Sequence, residues 1–306
     1  MTDPSASAPP SRTRVFFRRS ASTLLLWAVV ATVFASRLSW AYFGLITALI
    51  VIATIEYFRM LGRAGVPAFP RFGLFCSLAY SAALGEALLL TGKAPEGLDA
   101  LALALVTIGS FTLQLRQPMD GIRSLMAVAS NLLGFVYITV MFHYASRLLF
   151  VPHAALVNPG HITGQGALLL LWLVTVTKFT DMGAYITGSL IGRHKMIPHV
   201  SPAKTWEGFG GAMVFALLGG LGLALAFPRH LGILGSLPQV ALLALVLAVL
   251  AVIGDLAESI IKRALAAKDS GRMLPGIGGS FDLIDSLCFT APLLYLYLEW
   301  IMPHVP

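Results

Sequence analysis

Apolar runs of about 17 to 25 residues, long enough to carry an α-helix across hydrocarbon, recur along nearly the whole sequence. A chain with this pattern cannot bury so much apolar surface in a water-soluble core. Composition agrees, with 57% hydrophobic and 11% charged residues in 306, against about 25% charged in ordinary soluble domains. The expected fold is all-α, a polytopic transmembrane helical bundle. Nine spanning helices are expected, near 21–36, 38–58, 73–91, 98–115, 124–146, 167–190, 208–227, 239–262 and 285–303.

Positive charge orients the bundle, because Lys and Arg concentrate in cytoplasmic loops. With the N-terminus inside, the inner segments carry 16 of the 21 Lys and Arg residues and the outer ones carry Arg37, Lys93, Arg147 and Arg229, leaving Lys178 within a span. This predicts a cytoplasmic N-terminus and an odd number of helices. The net charge of +7 thus follows the membrane, and nucleic acid is not an expected partner. The basic segment SRTRVFFRRS before the first run resembles the start of a signal peptide. A cleaved signal ends at a small-residue site, whereas this run leads at once into another span, so it reads as a retained helix. Cys76 and Cys288 fall inside apolar runs, which argues against a disulfide framework and against a cysteine zinc site.

Three regions are expected: a polar, proline-rich head over 1–20, N-terminal spans over 21–165, and a C-terminal half over 166–306. Acidic residues concentrate in the last, and inside the first-half spans only Glu56 and Glu86 stand out. The chemistry is therefore expected in the C-terminal half, with the first half as scaffold and lipid-facing surface.

Two charged constellations carry that chemistry. The first is KFTDMGAYITGSLIGRHKMIPHVSPAKTWEG, residues 178–208. Lys178 and Asp181 share a helical face and can neutralise each other. Gly183, Gly188 and Gly192 permit close helix packing. From Ser201 through Lys204, Thr205 and Glu207 the pattern reads as a helix start, where free N–H groups, hydroxyls and a lysine can hold phosphate. His194 and His199 lack metal-ligand company.

The second constellation is GDLAESIIKRALAAKDSGRMLPGIGGSFDLIDS, residues 254–286. Asp255, Glu258, Ser259 and Lys262 fall on one helical face, with Arg263 and Lys268 adding positive charge. Pro275, Gly276, Gly278 and Gly279 break the helix and let backbone approach a ligand. Asp282 and Asp285 then sit three residues apart as the last helix begins. Carboxylates from two helices suit Mg²⁺, which takes a few carboxylates plus waters and substrate phosphates. Ser259 has no nearby histidine base, and no GxxxxGK[ST] phosphate loop is present.

These residues resemble the phosphatidate cytidylyltransferase family, whose signature runs S-x-x-K-R-x4-K-D-x-G, then P-G-H-G-G, then D-R-x-D. Ser259, Lys262, Arg263, Lys268, Asp269 and Gly271 match its first part, and Pro275, Gly276, Gly278, Gly279, Asp282 and Asp285 the rest. Asp181, Gly183, Ala184, Tyr185 and SPAKTWEG match a second common block. The family's usual histidine is Ile277 here, and its usual arginine between the aspartates is Leu283.

The resemblance implies an integral membrane enzyme of phospholipid synthesis. It would transfer the cytidylyl group of CTP to phosphatidic acid, giving CDP-diacylglycerol and pyrophosphate. The expected metal ligands are Asp255, Asp282 and Asp285, holding Mg²⁺ with or without a second cation. Lys262, Arg263 and Lys268 would hold phosphates at the catalytic centre. Ser201, Lys204, Thr205, Ser259, Asp269, Gly278 and Gly279 would line the substrates. A bacterial inner-membrane location, a cytoplasmic-side site and a homodimer packed through intramembrane glycines complete the expectation. Two other functions fit the charges: a CTP-dependent lipid kinase, and a secondary transporter.

Overall fold

The computed structural model describes residues 28–151, 162–267, 269–271 and 278–301. The head over 1–20, the start of the first run, Lys268 and the stretch 272–277 with Ile277 lie outside them. Among the described residues, helices account for every apolar run. They are α1 (28–36), α2 (Ser39–Arg63), α3 (Pro70–Thr91), α4 (Leu98–Gln114), α5 (Ile122–Leu148), α6 (Gly164–Ile191), α7 (Trp206–Ala226), α8 (Leu237–Ala264) and α9 (Ser280–Ile301). Seven of these, α2, α3 and α5 to α9, are long and apolar enough to cross a membrane. The chain is an all-α polytopic membrane protein. α4 is a shorter apolar helix of 17 residues, and only the end of the first expected span is described.

Local chemistry sets the helix ends. The Thr163 and Thr205 hydroxyls accept hydrogen bonds from Gly166 N at 3.0 Å and Gly208 N at 3.1 Å, satisfying amides that no intrahelical carbonyl reaches. Gln239 Oε1 accepts from Ser236 N at 2.7 Å where α8 starts. A π-helical turn over Phe135–Val140 interrupts α5.

One short segment departs from the expected fold. Lys195–Ile197 (β1) and Ser201–Thr205 (β2) form an antiparallel hairpin between α6 and α7. The helix read from Ser201 onward therefore begins only at Trp206. Extended pairing takes the backbone up to Thr205, which then serves as the N-cap. Pro202, which lacks an N–H, is tolerated in so short a two-stranded pair.

The packing brings α6 to α9 together. Gly183 and Gly211 let α6 and α7 meet closely: a Cβ on Gly183 would lie 2.5 Å from the Gly211 carbonyl oxygen and 2.6 Å from Phe215 Cβ. The buried Trp172 side chain of α6 donates from Nε1 to the Gly220 carbonyl of α7 at 2.9 Å. α2 and α5 close the other side of α9, with the Tyr137 ring edge-on to Phe281 at 5.4 Å.

Candidate active site

The C-terminal ends of α6 and α8, the hairpin, and the N-terminal ends of α7 and α9 converge around a cavity of about 640 Å³. Asp181, Lys195, Ser201, Lys204, Thr205, Asp255, Asp282, Asp285 and Ser286 all line it. The two charged constellations, separated along the chain, are therefore the walls of one cavity.

Ion pairs organise its charges. Lys204 Nζ on β2 lies 2.6 Å from Asp255 Oδ2 on α8. Lys178 Nζ lies 3.4 Å from Asp181 Oδ2, one turn away on α6, and donates to the Leu283 carbonyl at 3.3 Å. Lys262 Nζ bridges Glu258 Oε2 at 2.7 Å and Asp282 Oδ1 at 2.9 Å, and so ties α8 to the start of α9. Asp282 Oδ2 also accepts from Gly279 N at 3.2 Å, capping α9. The preceding Gly278 has φ +121°, a conformation that a side chain would strain.

The carboxylate grouping differs from the sequence expectation at one residue. Ligand oxygens of Asp255, Glu258 and Asp285 lie within 4.8 Å of one another, and Asp282 stands beside them, held by Lys262 and by its cap. Glu258 is 1% exposed, and its Oε1 has no hydrogen-bond partner among the described residues. A buried carboxylate oxygen left without a donor is costly. Three carboxylates grouped this closely, one of them with an unpartnered oxygen, suit a divalent cation. The signal for Glu258 was present in the sequence as an acid three residues beyond Asp255 on an apolar helix. Ser286, whose buried Oγ is also unpartnered among the described residues and which lines the cavity, carried no such signal.

The other expected residues are more dispersed. Arg263 is exposed, and its Nε donates to the Val200 carbonyl at 3.3 Å, across from the hairpin. Ser259 is half-buried and does not line the cavity. Asp269 lines a second cavity with Arg63 and Gly271. Thr205 spends its hydroxyl on the α7 cap. His194 pairs with Glu207, Nδ1 to Oε1 at 2.5 Å, and Glu207 also accepts from Arg193 N at 3.1 Å, which ties the hairpin to α7.

The profile of the cytidylyltransferase family matches residues 17–301. The chain belongs to that family. A stretch of 134 residues is 44% identical to a phosphatidate cytidylyltransferase of Brucella suis, covering 43% of this chain and 47% of that protein. The uncharacterized protein YnbB of Escherichia coli is 36% identical over 176 residues, 58% of this chain and 55% of that protein. A phosphatidate cytidylyltransferase of Staphylococcus epidermidis is 37% identical over 180 residues, 59% and 60% of the two chains. The chain thus spans about half the length of these curated relatives. In this cytidylyltransferase-family chain, the cavity sits where both matching sequence blocks meet.

One glycine sets how close α8 comes to α9 beside Asp255 and Asp285. A Cβ on Gly254 would lie 2.9 Å from the Asp285 carbonyl oxygen and 2.9 Å from Ser286 Cα. Tyr137 on the π turn donates to the Gly254 carbonyl at 3.3 Å, which fixes the neighbouring Asp255. Gly254→Ala should destabilise the protein by about 1–3 kcal/mol through overpacking and separate Asp255 from Asp285. Gly222→Ala on α7, with open space around its Cβ, should be close to neutral. Thermal unfolding of both variants in detergent checks this, and equal midpoints would refute the close-contact role of Gly254.

Proposed function

We propose that the chain transfers the cytidylyl group of CTP to phosphatidic acid, releasing CDP-diacylglycerol and pyrophosphate. The observation that carries this reading is the joining of both family blocks around one cavity, with lysines and carboxylates alternating on its walls. The names of the Brucella and Staphylococcus relatives support it.

The chemistry asks for electrostatics more than for a strong base. A phosphomonoester carries about −1.5 to −2 charge near neutrality, so the lipid's own phosphate oxygen is the nucleophile. It forms the new bond to the α-phosphorus of CTP as the bond to the bridging α–β oxygen breaks, and pyrophosphate leaves with that electron pair. Both reactants are anionic, so fixed positive charge must offset their repulsion and the charge that develops. Lys204 and Lys195 line the cavity for that role, and Arg263 and Lys268 belong to the same signature block. Lys262 holds Glu258 and Asp282 in place.

Asp255, Glu258 and Asp285 would hold Mg²⁺, with Asp282 beside them. When bound, the ion supplies positive charge to the phosphate oxygens, as metals do in phosphoryl-transfer sites. Asp255 and Asp285 orient that site from two helices, and Lys204 keeps Asp255 aimed into the cavity.

The Lys and Arg distribution supports nine spans, a cytoplasmic N-terminus and a site on the cytoplasmic side of a bacterial inner membrane. There water-soluble CTP and the lipid headgroup can both reach it. Incubation of purified protein with Mg²⁺, CTP and phosphatidic acid should yield CDP-diacylglycerol and pyrophosphate. CDP with a phosphorylated lipid alcohol would point instead to a lipid kinase. Solute uptake into proteoliposomes without nucleotide turnover would point to a transporter. Either result would overturn this function.

A further inference from the structure

We infer that Glu56, on α2 in the N-terminal half, is a positioning residue that fixes the start of α9 and so the placement of Asp282 and Asp285. Glu56 is 1% exposed in an apolar span, where a carboxylate is costly to bury unless its oxygens are hydrogen-bonded. Its Oε2 accepts from the backbone N–H of Phe281 at 3.1 Å. That amide belongs to the first turn of α9, which has no intrahelical acceptor for it. The positive end of the helix dipole favours a carboxylate there.

Two glycines of the family signature make room for this contact. A Cβ on Gly271 would overlap the Glu56 carboxylate, and one on Gly279 would lie 3.0 Å from Oε2. Glu56 therefore lies between the backbone leaving α8 and the backbone entering α9. Its neighbours anchor the same turn: Ser280 Oγ donates to the Leu49 carbonyl of α2 at 3.1 Å, and Tyr57 packs on Phe281 with ring centroids 6.3 Å apart. Two carboxylates thus divide the α9 amides. Asp282 caps locally at Gly279, and Glu56 reaches across from α2 to Phe281. Asp282 is the next residue after Phe281 and Asp285 follows one turn later, so a shift of this turn moves both.

This inference rests on the proposed cytidylyl transfer for its kinetic arm, so the wild-type assay is read first. Hydrogen exchange at the α9 start tests the contact whatever reaction the protein performs. Glu56→Ala should lower kcat about 10²-fold, the scale of a catalytic group misplaced by about 1 Å, with the KM for CTP changed less than about threefold on the same ground. Exchange in a peptide covering 278–287 should quicken in the same variant. Glu56→Gln keeps an acceptor at the same reach and should stay within about tenfold of wild type, with near-native exchange. If Glu56→Ala does not fold, Glu56→Asp takes its place, with intermediate kcat and quickened exchange expected. Three results would each overturn the positioning role. They are kcat within twofold of wild type in the Ala or Asp variant, lost kcat with unchanged exchange, and a Gln variant as impaired as the Ala one.

Discussion

Asp255→Asn should reduce turnover of CTP and phosphatidate by at least about 10³-fold while the protein still inserts and folds. The substitution is close to isosteric, so the change is one of charge rather than of shape. Two losses are combined in it. Lys204 loses the partner 2.6 Å away that holds it against the cavity wall, and the carboxylate trio with Glu258 and Asp285 loses a ligand. Removing one preorganised electrostatic group from an active site costs about 10²–10³ in rate, and here a metal-type site and a lysine fail together. The companion Lys204→Met leaves the carboxylate in place and removes the tether together with the lysine's own charge; it should cost less, about 10²-fold. Initial rates on detergent-purified protein, with a size-exclusion profile as the folding control, decide the matter. Near-normal turnover in the folded Asn variant would sink the proposed site.

Lys262→Met carries the second largest effect. Its ammonium lies between Glu258 and Asp282, and its side chain is only 17% exposed. Removing it leaves two carboxylates facing each other in a half-buried site. Breaking a buried pair by deleting one partner costs about 3–5 kcal/mol; with Asp282 30% exposed, the lower end of that range applies. Turnover should fall as well, because Asp282 caps α9 and lines the cavity. Adding Asp282→Asn to Lys262→Met should restore part of the stability by relieving repulsion, yet leave activity lost. Denaturation midpoints in detergent alongside the assay distinguish these outcomes. Full activity in the double variant would show that the triad only stabilises the fold.

The legible part of the site was its chemistry and the unreadable part was its grouping. Asp255, Asp282 and Asp285 stand out in sequence because charges so close to apolar helices need partners. Lys204 is tied to Asp255 across 51 positions of chain, and no local spacing encodes that pair. Asp282 read as a metal ligand because it lies three residues before Asp285. In the folded protein its oxygens meet Lys262 and Gly279 N, while oxygens of Asp255, Glu258 and Asp285 lie within 4.8 Å of one another. Glu56 was visible as an odd acid in an apolar run. That it meets Phe281, 225 residues away, is a matter of helix packing alone.

The sequence by itself determined the membrane class, the positions of the helices and the family signature. Apolar run length and the need to pair buried charges are local constraints, and they can be read from one segment at a time. Only the tertiary structure decided which lysine neutralises which carboxylate, that a hairpin precedes α7, and that α2 reaches the start of α9. Those outcomes depend on how closely helices approach, and glycines such as Gly183, Gly211 and Gly254 set that distance by what they lack.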